Sequence, residues 1–465
     1  MTNLMHEKNF TATEKKTAIS LAMVYGLRMF GLFLVLPVLA VYAVDYPGYS
    51  QAAVGLAIGI YGLTQSVFQI PLGFASDRLG RKPVIIGGLL LFVLGSWIAS
   101  SATSMNGLIL GRAIQGCGAI ASALMALAAD ISREEKCSQV MAILGMSIGV
   151  SFVLALVAGP FLASHYQLSG LFLITGVLAI FAIFVVLFVV PNIKQHVHQR
   201  DVLPALDEFK KILSNWQLVR LDFGIFTLHF LLSASFVQIP LLLANSGVAK
   251  EHQSWVYLPV MVVSFLAMLP GIIVAEKKKK HTKVMLAALL FVFLAQFTWF
   301  FAQSKLWVIA GLFCFFVGFN ILEAMLPSMI SRFSPVAGKG TAMGVYSTSQ
   351  FMGSFLGGTS AGFLGSYFGG HSIFIAGMGI VLFWMWFHSG QKNPPQMANL
   401  SIELSDNQPV QSQQINHLLS QMGICEALHV PDENRLYLRY DSGQIDASKA
   451  MEYLKNDFQL ATNNN

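Results

Sequence analysis

Charged side chains are scarce in this 465-residue chain: 11% of the residues are Asp, Glu, Lys or Arg, and 55% are hydrophobic. An ordinary soluble domain carries about 25% charged residues. So few polar groups cannot cover the surface of a water-soluble protein, which excludes a cytosolic enzyme or a secreted module for most of the chain. Together with 40 glycines, which are frequent in membrane helices, this composition indicates a polytopic membrane protein.

Cysteine is scarce as well, and the four cysteines show neither a CxxC pattern nor the Cys/His spacing of a metal site. We therefore predict no disulfide framework and no metal. The polar N-terminal segment lacks the apolar core of a cleavable signal peptide, so the first apolar run is expected to stay in the membrane. No GxxxxGK[ST] loop for ATP is present, and we predict neither an enzyme nor a bound cofactor.

Twelve apolar runs are long enough for a membrane-spanning helix, which takes about 20 residues. They cover residues 17–43, 53–76, 83–101, 105–129, 138–163, 169–190, 219–245, 254–275, 282–302, 306–331, 338–365 and 371–388. We predict an all-α polytopic membrane protein with twelve transmembrane helices in two six-helix bundles, 1–190 and 219–390. The central loop, 191–218, has apolar residues at helical spacing, which predicts an amphipathic helix at the cytoplasmic membrane surface.

The basic residues predict the orientation of the chain. Most of the 29 Lys and Arg residues lie in the N-terminal segment or in alternate loops, such as 78–82, 133–136 and 277–280. Because cytoplasmic loops are enriched in Lys and Arg, both termini are predicted to be cytoplasmic. This topology also explains the net charge of +6, so nucleic-acid binding is not expected.

The composition changes near residue 391. Residues 391–399 are predicted to form a linker, and 400–465 are polar enough to be soluble. Strand and helix patterns follow one another there in the order β-α-β-β-α, with Asp446 placed to cap the last helix. This order is close to a ferredoxin-like fold without its last strand, so we predict a small cytoplasmic α+β domain.

The most informative motif lies between the second and third apolar runs. It combines a small packing residue, an acid, a turn glycine and three bases, namely Gly73, Asp77, Arg78, Gly80, Arg81 and Lys82. A loop that is merely positive on the cytoplasmic side would explain the bases alone. The complete pattern G-x-x-x-D-R-x-G-R-[KR] is far more specific.

This pattern resembles the loop signature of the major facilitator superfamily, and in particular of its twelve-span proton-coupled drug antiporters. Two further segments carry the resemblance: LILGRAIQGCGAIA around Arg112, and a helix-packing antiporter signature that includes Gly149, Gly159 and Pro160. The latter departs from the family at 163–164, where Ala and Ser replace the usual glycines. This departure keeps an uptake symporter open beside an antiporter.

The resemblance implies roles for several of these residues. In the family, the loop acts as a latch that holds the two halves together on the cytoplasmic side in the outward-open state. Asp130, at the cytoplasmic end of the fourth run, is expected to join this latch through Arg78 or Arg81. The family assigns the arginine of the fourth run to proton transfer, and we carry that role to Arg112.

The polar tail and an N-x-x-E-A-x-x-P element, with Asn320 and Glu323, resemble the YajR-type subgroup of the superfamily. The resemblance implies a multi-pass transporter in a bacterial inner membrane. We accordingly expect a proton-coupled secondary transporter that exports a small amphipathic compound by alternating access. The alternatives are a proton-coupled uptake symporter and a membrane sensor that uses its C-terminal domain.

Ionisable residues inside the spans are candidates for proton coupling, because charge is costly in lipid. They are Glu323, Arg112, His229, Asp222 and Arg28. Glu323 stands mid-span without a base within one helical turn, although a structural hydrogen bond would also explain it. Asp222 and His229 are seven residues apart and share a helix face, but a lone histidine is more often a packing residue. Arg28 could equally extend toward the membrane surface.

Amides in the spans are candidates for lining a substrate cavity, although each could instead make an interhelical hydrogen bond. They are Gln65, Gln69, Gln238, Asn320 and Gln350. The expected partners are thus a small molecule, protons and the lipid bilayer. The motifs identify neither the substrate nor the partner of the C-terminal domain.

Overall fold

A computed structural model describes residues 10–132, 134–191, 204–334, 339–394, 397–403, 412–430 and 435–457. The first half contains α1 (Ala12–Leu34), α2 (Leu39–Tyr42), α3 (Gln51–Leu79), α4 (Arg81–Ser100), α5 (Met105–Cys117), α6 (Ala121–Ile131) and α7 (Glu134–Phe188). After the connecting helix α8 (Pro204–Ser214), the second half contains α9 (Trp216–Asn245), α10 (Ser254–Lys277), α11 (His281–Phe300), α12 (Lys305–Phe333), α13 (Lys339–Phe368) and α14 (Ser372–His388).

These helices account for all twelve predicted membrane runs. Nine described segments are long and apolar enough to cross a bilayer, and α5 with α6 counts as one of them. Another, Gln139–Phe188, is interrupted at Gln167, whose φ of 56° divides α7 into two consecutive spans. With α13 and the shorter α14, the expected twelve are present. The predicted all-α polytopic fold is confirmed.

The first and central segments differ in detail from the predicted runs. The run over 17–43 is not one helix, because α1 ends at Leu34 and a turn around Pro37 precedes the short α2. Proline has no backbone N–H to donate within a helix, so the chain breaks there. In the central loop an amphipathic helix forms over α8, whereas Trp216 already begins α9 behind the N-cap Asn215.

The two halves touch at one end of the bundle through glycines. A Cβ atom at Gly55 would lie 2.2 Å from the Gly358 carbonyl oxygen, and one at Gly59 would lie 2.6 Å from that of Phe355. No larger residue fits there, so α3 and α13 meet backbone to backbone. Nearby, the Ser254 hydroxyl donates to the Val157 carbonyl at 2.7 Å and also joins the two halves.

The halves are separated at the other end, which carries the loops 78–82 and 277–280 and is called the basic end below. Among the described residues, nothing lies within 4 Å of a Cβ placed at Gly145 of α7 or at Gly344 of α13. The hydrogen bonds that described residues make between the halves, from Gln51 to Gln238, from Ala52 to Ser366 and from Ser254 to Val157, all lie at the opposite end. The bundle is open toward its basic end.

The C-terminal residues form a small α+β unit of β1 (Met397–Glu403), α15 (Ser412–Ser420), β2 (Ile424–Val430), β3 (Arg435–Asp441) and α16 (Ala447–Asp457). The sheet has the order β1-β3-β2, and both pairs are antiparallel. Asp446 caps α16, since its Oδ1 accepts from the Lys449 N–H at 2.8 Å. The element order agrees with the prediction, although β1 begins inside the segment predicted as a linker. Residues 458–465, where a last strand would follow, lie outside the described residues.

We expect the substitution Gly59→Val to force α3 away from α13, because its side chain would collide with the Phe355 carbonyl. Overpacking of this kind costs about 1–3 kcal/mol. Spin labels at Val44 and Tyr367, which flank this contact on the two halves, should report a longer distance in the variant. Gly87→Val is the matched control, since no described atom lies within 4 Å of that Cβ. If the two variants show equal distance distributions, the substitution at Gly59 does not force α3 away from α13.

Candidate functional site

Arg28 lies inside the first half and is only 1% exposed. Its Nη2 donates to Gln65 Oε1 at 2.5 Å and to the Gly118 carbonyl at 3.0 Å. That carbonyl is available because the helix is broken between α5 and α6, which leaves it without an intrahelical donor. The guanidinium is therefore held in the interior by Gln65 and the helix break rather than extended toward the membrane surface.

Arg112 is the second buried guanidinium of the first half, with 2% exposure. Its Nε donates to the Ala57 carbonyl at 3.2 Å, and its Nη1 donates to Gln115 Oε1 at 3.0 Å. The Tyr61 ring lies between the two arginines, with its centroid 4.8 Å from Cζ of Arg112 and 5.9 Å from Cζ of Arg28. Neither arginine belongs to an ion pair of the described residues.

In the second half, Glu323 of α12 meets two predicted site residues from other helices. Gln350 Nε2 donates to His229 Nε2 at 2.8 Å and lies 3.5 Å from Glu323 Oε1. His229 Nδ1 is 3.9 Å from Glu323 Oε2. Because the amide donates to Nε2, the neutral imidazole carries its proton on Nδ1, facing the carboxylate. This polar cluster joins α9, α12 and α13.

Asp222 stands apart from this cluster, two helical turns before His229 on the same face of α9. It is buried, and its Oδ1 has no hydrogen-bond partner among the described residues. Tyr346 lies within electrostatic reach of both Asp222 and Glu323. Sequence reasoning missed Tyr346, although it precedes Gln350 by four residues and so shares its face of α13.

A cavity of about 570 Å³, counting its open part, lies between the two halves. Its polar lining comes from both sides, with Tyr25, Tyr61 and Arg112 from the first half and His229, Ser233, Gln350 and Ser354 from the second. Most of the remaining wall is aliphatic or aromatic. A cavity that is apolar with a few converging polar groups is typical of a small-molecule site.

Of the five amides predicted for the cavity, this lining includes Gln350. The others have local partners that explain their presence in the spans. Gln65 and Gln69 are joined to each other at 3.0 Å behind Arg28, and Gln238 accepts from Gln51 across the two halves at 3.4 Å. Asn320 donates to the Ser264 hydroxyl at 3.5 Å. A role for these four in substrate binding stays a prediction.

The predicted latch forms one corner of the first half at the basic end. Arg81, the first residue of α4, forms an ion pair with Asp77 of α3, and its Nε donates to Asp130 of α6 at 2.9 Å. Gly80, with a φ of 96°, makes the tight turn between α3 and α4. Of the two bases expected to bind Asp130, the structure selects Arg81, whereas Arg78 makes no ion pair among the described residues.

Four other residues of the predicted motifs lie within the first half. Lys82 Nζ donates to the Val190 carbonyl at 2.5 Å, and Gly73 lies against Ser122. A Cβ at Gly159 would lie 2.7 Å from the Leu34 carbonyl, so this glycine brings α7 close to the end of α1. Pro160 follows within the same helix. These positions serve helix packing, while Gly149 has open space beside it.

The second half has a similar corner that sequence reasoning did not identify as a cluster. Arg332 of α12 donates to Glu276 at 2.8 and 3.0 Å, and His281, the first residue of α11, lies 3.4 Å from the same carboxylate. Asp77 and Glu276 each follow a proline by six residues, which was the available signal. The cluster was missed because Arg332 is 56 residues from Glu276 in the sequence, and only the packing of α12 brings the two together.

Comparison with known proteins places these features in a family. A model described as Major Facilitator Superfamily matches residues 21–358 and 221–422. The chain is 42% identical to the inner membrane transport protein YajR of Escherichia coli (strain K12) over 439 residues, which cover 94% of this chain and 97% of the relative. It is also 25% identical to the multidrug resistance protein MdtH of Aeromonas hydrophila, over 71% of this chain and 83% of that protein.

A solved structure supports the same fold. The bacterial homologue of the human lysosomal transporter Spinster, in an inward-facing and occupied conformation, superposes with a TM-score of 0.66. The match covers 82% of this chain and 97% of the other, at 13% identity. At this level of identity the likeness concerns the fold alone.

The ion pairs at this corner of the first half predict that Arg81 contributes more to stability than Arg78. Arg81→Gln should lower the midpoint of thermal unfolding in detergent, because it removes bonds to two half-exposed carboxylates that are worth about 0.2–1 kcal/mol each. Arg78→Gln is the control and should stay within about 0.5 kcal/mol of wild type. If the two substitutions lower the midpoint of thermal unfolding equally, the ion pairs of Arg81 do not stabilise this corner.

Proposed function

This chain is a multi-pass membrane transporter of the major facilitator superfamily, and from that premise we propose that it exports a small amphipathic compound in exchange for protons. The two halves alternate between access from the basic end and access from the opposite end. We place the basic end and both termini in the cytoplasm of a bacterial cell, with the chain in the inner membrane. The name of the MdtH relative, a multidrug resistance protein, supports export.

The observation that carries the proposal is the Glu323 carboxylate beside the cavity. Its side chain is 31% exposed and contacts His229 and Gln350, both of which line the cavity wall. We infer that a proton reaches Glu323 from the cavity by way of these two side chains. We assign proton coupling to Glu323 with His229 as its neighbour, and we retain Asp222, Arg112 and Arg28 as further participants.

The free-energy cost of burying an ionised carboxylate couples the protonation of Glu323 to the conformation of the bundle. While the cavity is open to water, an ionised Glu323 is hydrated; once the halves close over it, that hydration is lost. Closure at the basic end is therefore favoured when the carboxylate is neutralised, either by a proton or by a bound solute that displaces the proton. Because the proton biases which end of the bundle is open, its gradient can drive the movement of a second solute.

A proton-coupled symporter is the second candidate, and a specific observation favours it. Arg112 lies on the first-half wall of the cavity, while His229 and Gln350, the neighbours of Glu323, lie on the second-half wall. An anionic solute could therefore bind on one wall while a proton occupies the other side. Such a pair would cross the membrane together without adding net charge. The direction of proton movement on solute addition separates the two candidates: release indicates exchange, and uptake indicates symport.

We expect Glu323→Gln to abolish the pH response of the basic end. In the wild type, acidification should shorten the distance between spin labels at Leu79 and Lys278, because protonated Glu323 permits closure. The glutamine variant mimics the neutral carboxylate and should show the short distance at alkaline pH as well. Glu251→Gln, an acid in the turn at the opposite end, is the control. A variant at Glu323 that responds to pH like the wild type would exclude this residue as the coupling carboxylate.

Removal of residues 395–465 tests the sensor alternative. The small α+β unit has its own core of residues such as Leu418, Leu436 and Leu454, separate from the core of the bundle. The cut keeps Asn393, whose Oδ1 accepts from the Thr282 N–H at 3.1 Å. We expect the truncated chain to keep the pH-dependent Leu79–Lys278 distance. Loss of that response in a folded bundle would favour a sensor that acts through its tail.

A further inference from the structure

Two buried guanidiniums without carboxylate partners stand on the same side of the cavity. Arg28 and Arg112 are 1% and 2% exposed, and among the described residues no Asp or Glu forms an ion pair with either. Buried charges in proteins are as a rule paired or strongly hydrogen-bonded. Carbonyl and amide oxygens satisfy some of their N–H groups but supply no full negative charge.

Arg112 is the member of the pair that reaches the cavity. Its Nε and Nη1 are held by Ala57 and Gln115, which fixes the plane of the guanidinium, and the residue belongs to the cavity wall. Nη2 makes no hydrogen bond to the described residues. Arg28 lies beside the Tyr61 ring, 5.9 Å from its centroid, and is not part of the cavity wall.

The two walls of the cavity differ in how their charges can be neutralised. A carboxylate such as Glu323 can take up a proton and become neutral. An arginine keeps its charge at any physiological pH, so only an anion can compensate it. The charge of the arginine wall therefore indicates an anionic ligand more strongly than Glu323 indicates a cationic one.

We propose that the cavity binds a small amphipathic organic anion, whose acidic group docks on Nη2 of Arg112 and whose apolar body contacts the aromatic and aliphatic wall. Tyr25, Met29, Phe33 and Phe351 supply that wall. Arg28 adds a second positive charge beside Tyr61. This inference rests on the proposed transport function only in that it takes the cavity as the substrate site, and it holds for exchange and for symport alike.

Three indoles of similar size and different charge test the proposal with the purified full chain in detergent. Equilibrium dialysis should show that indole-3-propionate binds about tenfold or more tightly than its neutral amide, indole-3-propionamide, as expected for hydrogen bonds to a charged group. Tryptamine, the cation, should bind no better than the amide. If the anion fails to bind, or binds no more tightly than the amide, the proposal is overturned.

Substitutions of Arg112 test whether this residue causes the preference for the anion over the amide. Arg112→Gln should reduce the affinity for indole-3-propionate to that for the amide, while Arg112→Lys should retain part of the difference. Arg220→Gln is the matched control, since this arginine of α9 donates to the Phe387 carbonyl away from the cavity. An unchanged charge preference in a folded Arg112→Gln protein would remove Arg112 from the site. If the preference fails while the Leu79–Lys278 distance still responds to pH, the substrate class is wrong and the transport function stands.

Discussion

The cost of placing charge in an apolar bundle is the constraint on which this structure depends. In the first half this cost is lowered because Arg28 and Arg112 donate to backbone carbonyls and glutamine oxygens and lie against the ring of Tyr61. The second half meets it by placing Glu323 against an amide and an imidazole. Positive charge is thus concentrated on one wall of the cavity and titratable negative charge on the other. Any change in how the halves approach alters the interaction between these walls.

The glycines determine where the halves can approach. At Gly55 and Gly59, α3 meets the backbone of α13 so closely that a single methyl group would collide. At the basic end, Gly145 and Gly344 have no described atom within the same range. Small residues on α3, α7 and α13 leave room for the two halves to approach each other at either end. The glycines thus allow the two arrangements that the proposed alternating access requires.

The helices and the polar tail could be predicted because lipid imposes a simple rule on sequence: about 20 apolar residues for each span, with basic residues on one side. Individual residues such as Glu323 could be identified because charge is rare there. The pairing of Glu323 with His229 and Gln350 could not be predicted, since the three residues come from different helices and only the packing brings them together. For the same reason Gln65, predicted for the cavity, proves to bind Arg28, and the break at Pro37 shortens the first predicted run.

The two corners at the basic end show how a repeated scaffold can carry different charges. In the first half one base, Arg81, is shared by two acids, Asp77 and Asp130. In the second half one acid, Glu276, is shared by Arg332 and His281. In both corners the described charged groups are paired within their own half, so these contacts hold together the helix ends of each bundle and make no bond between the halves in this structure.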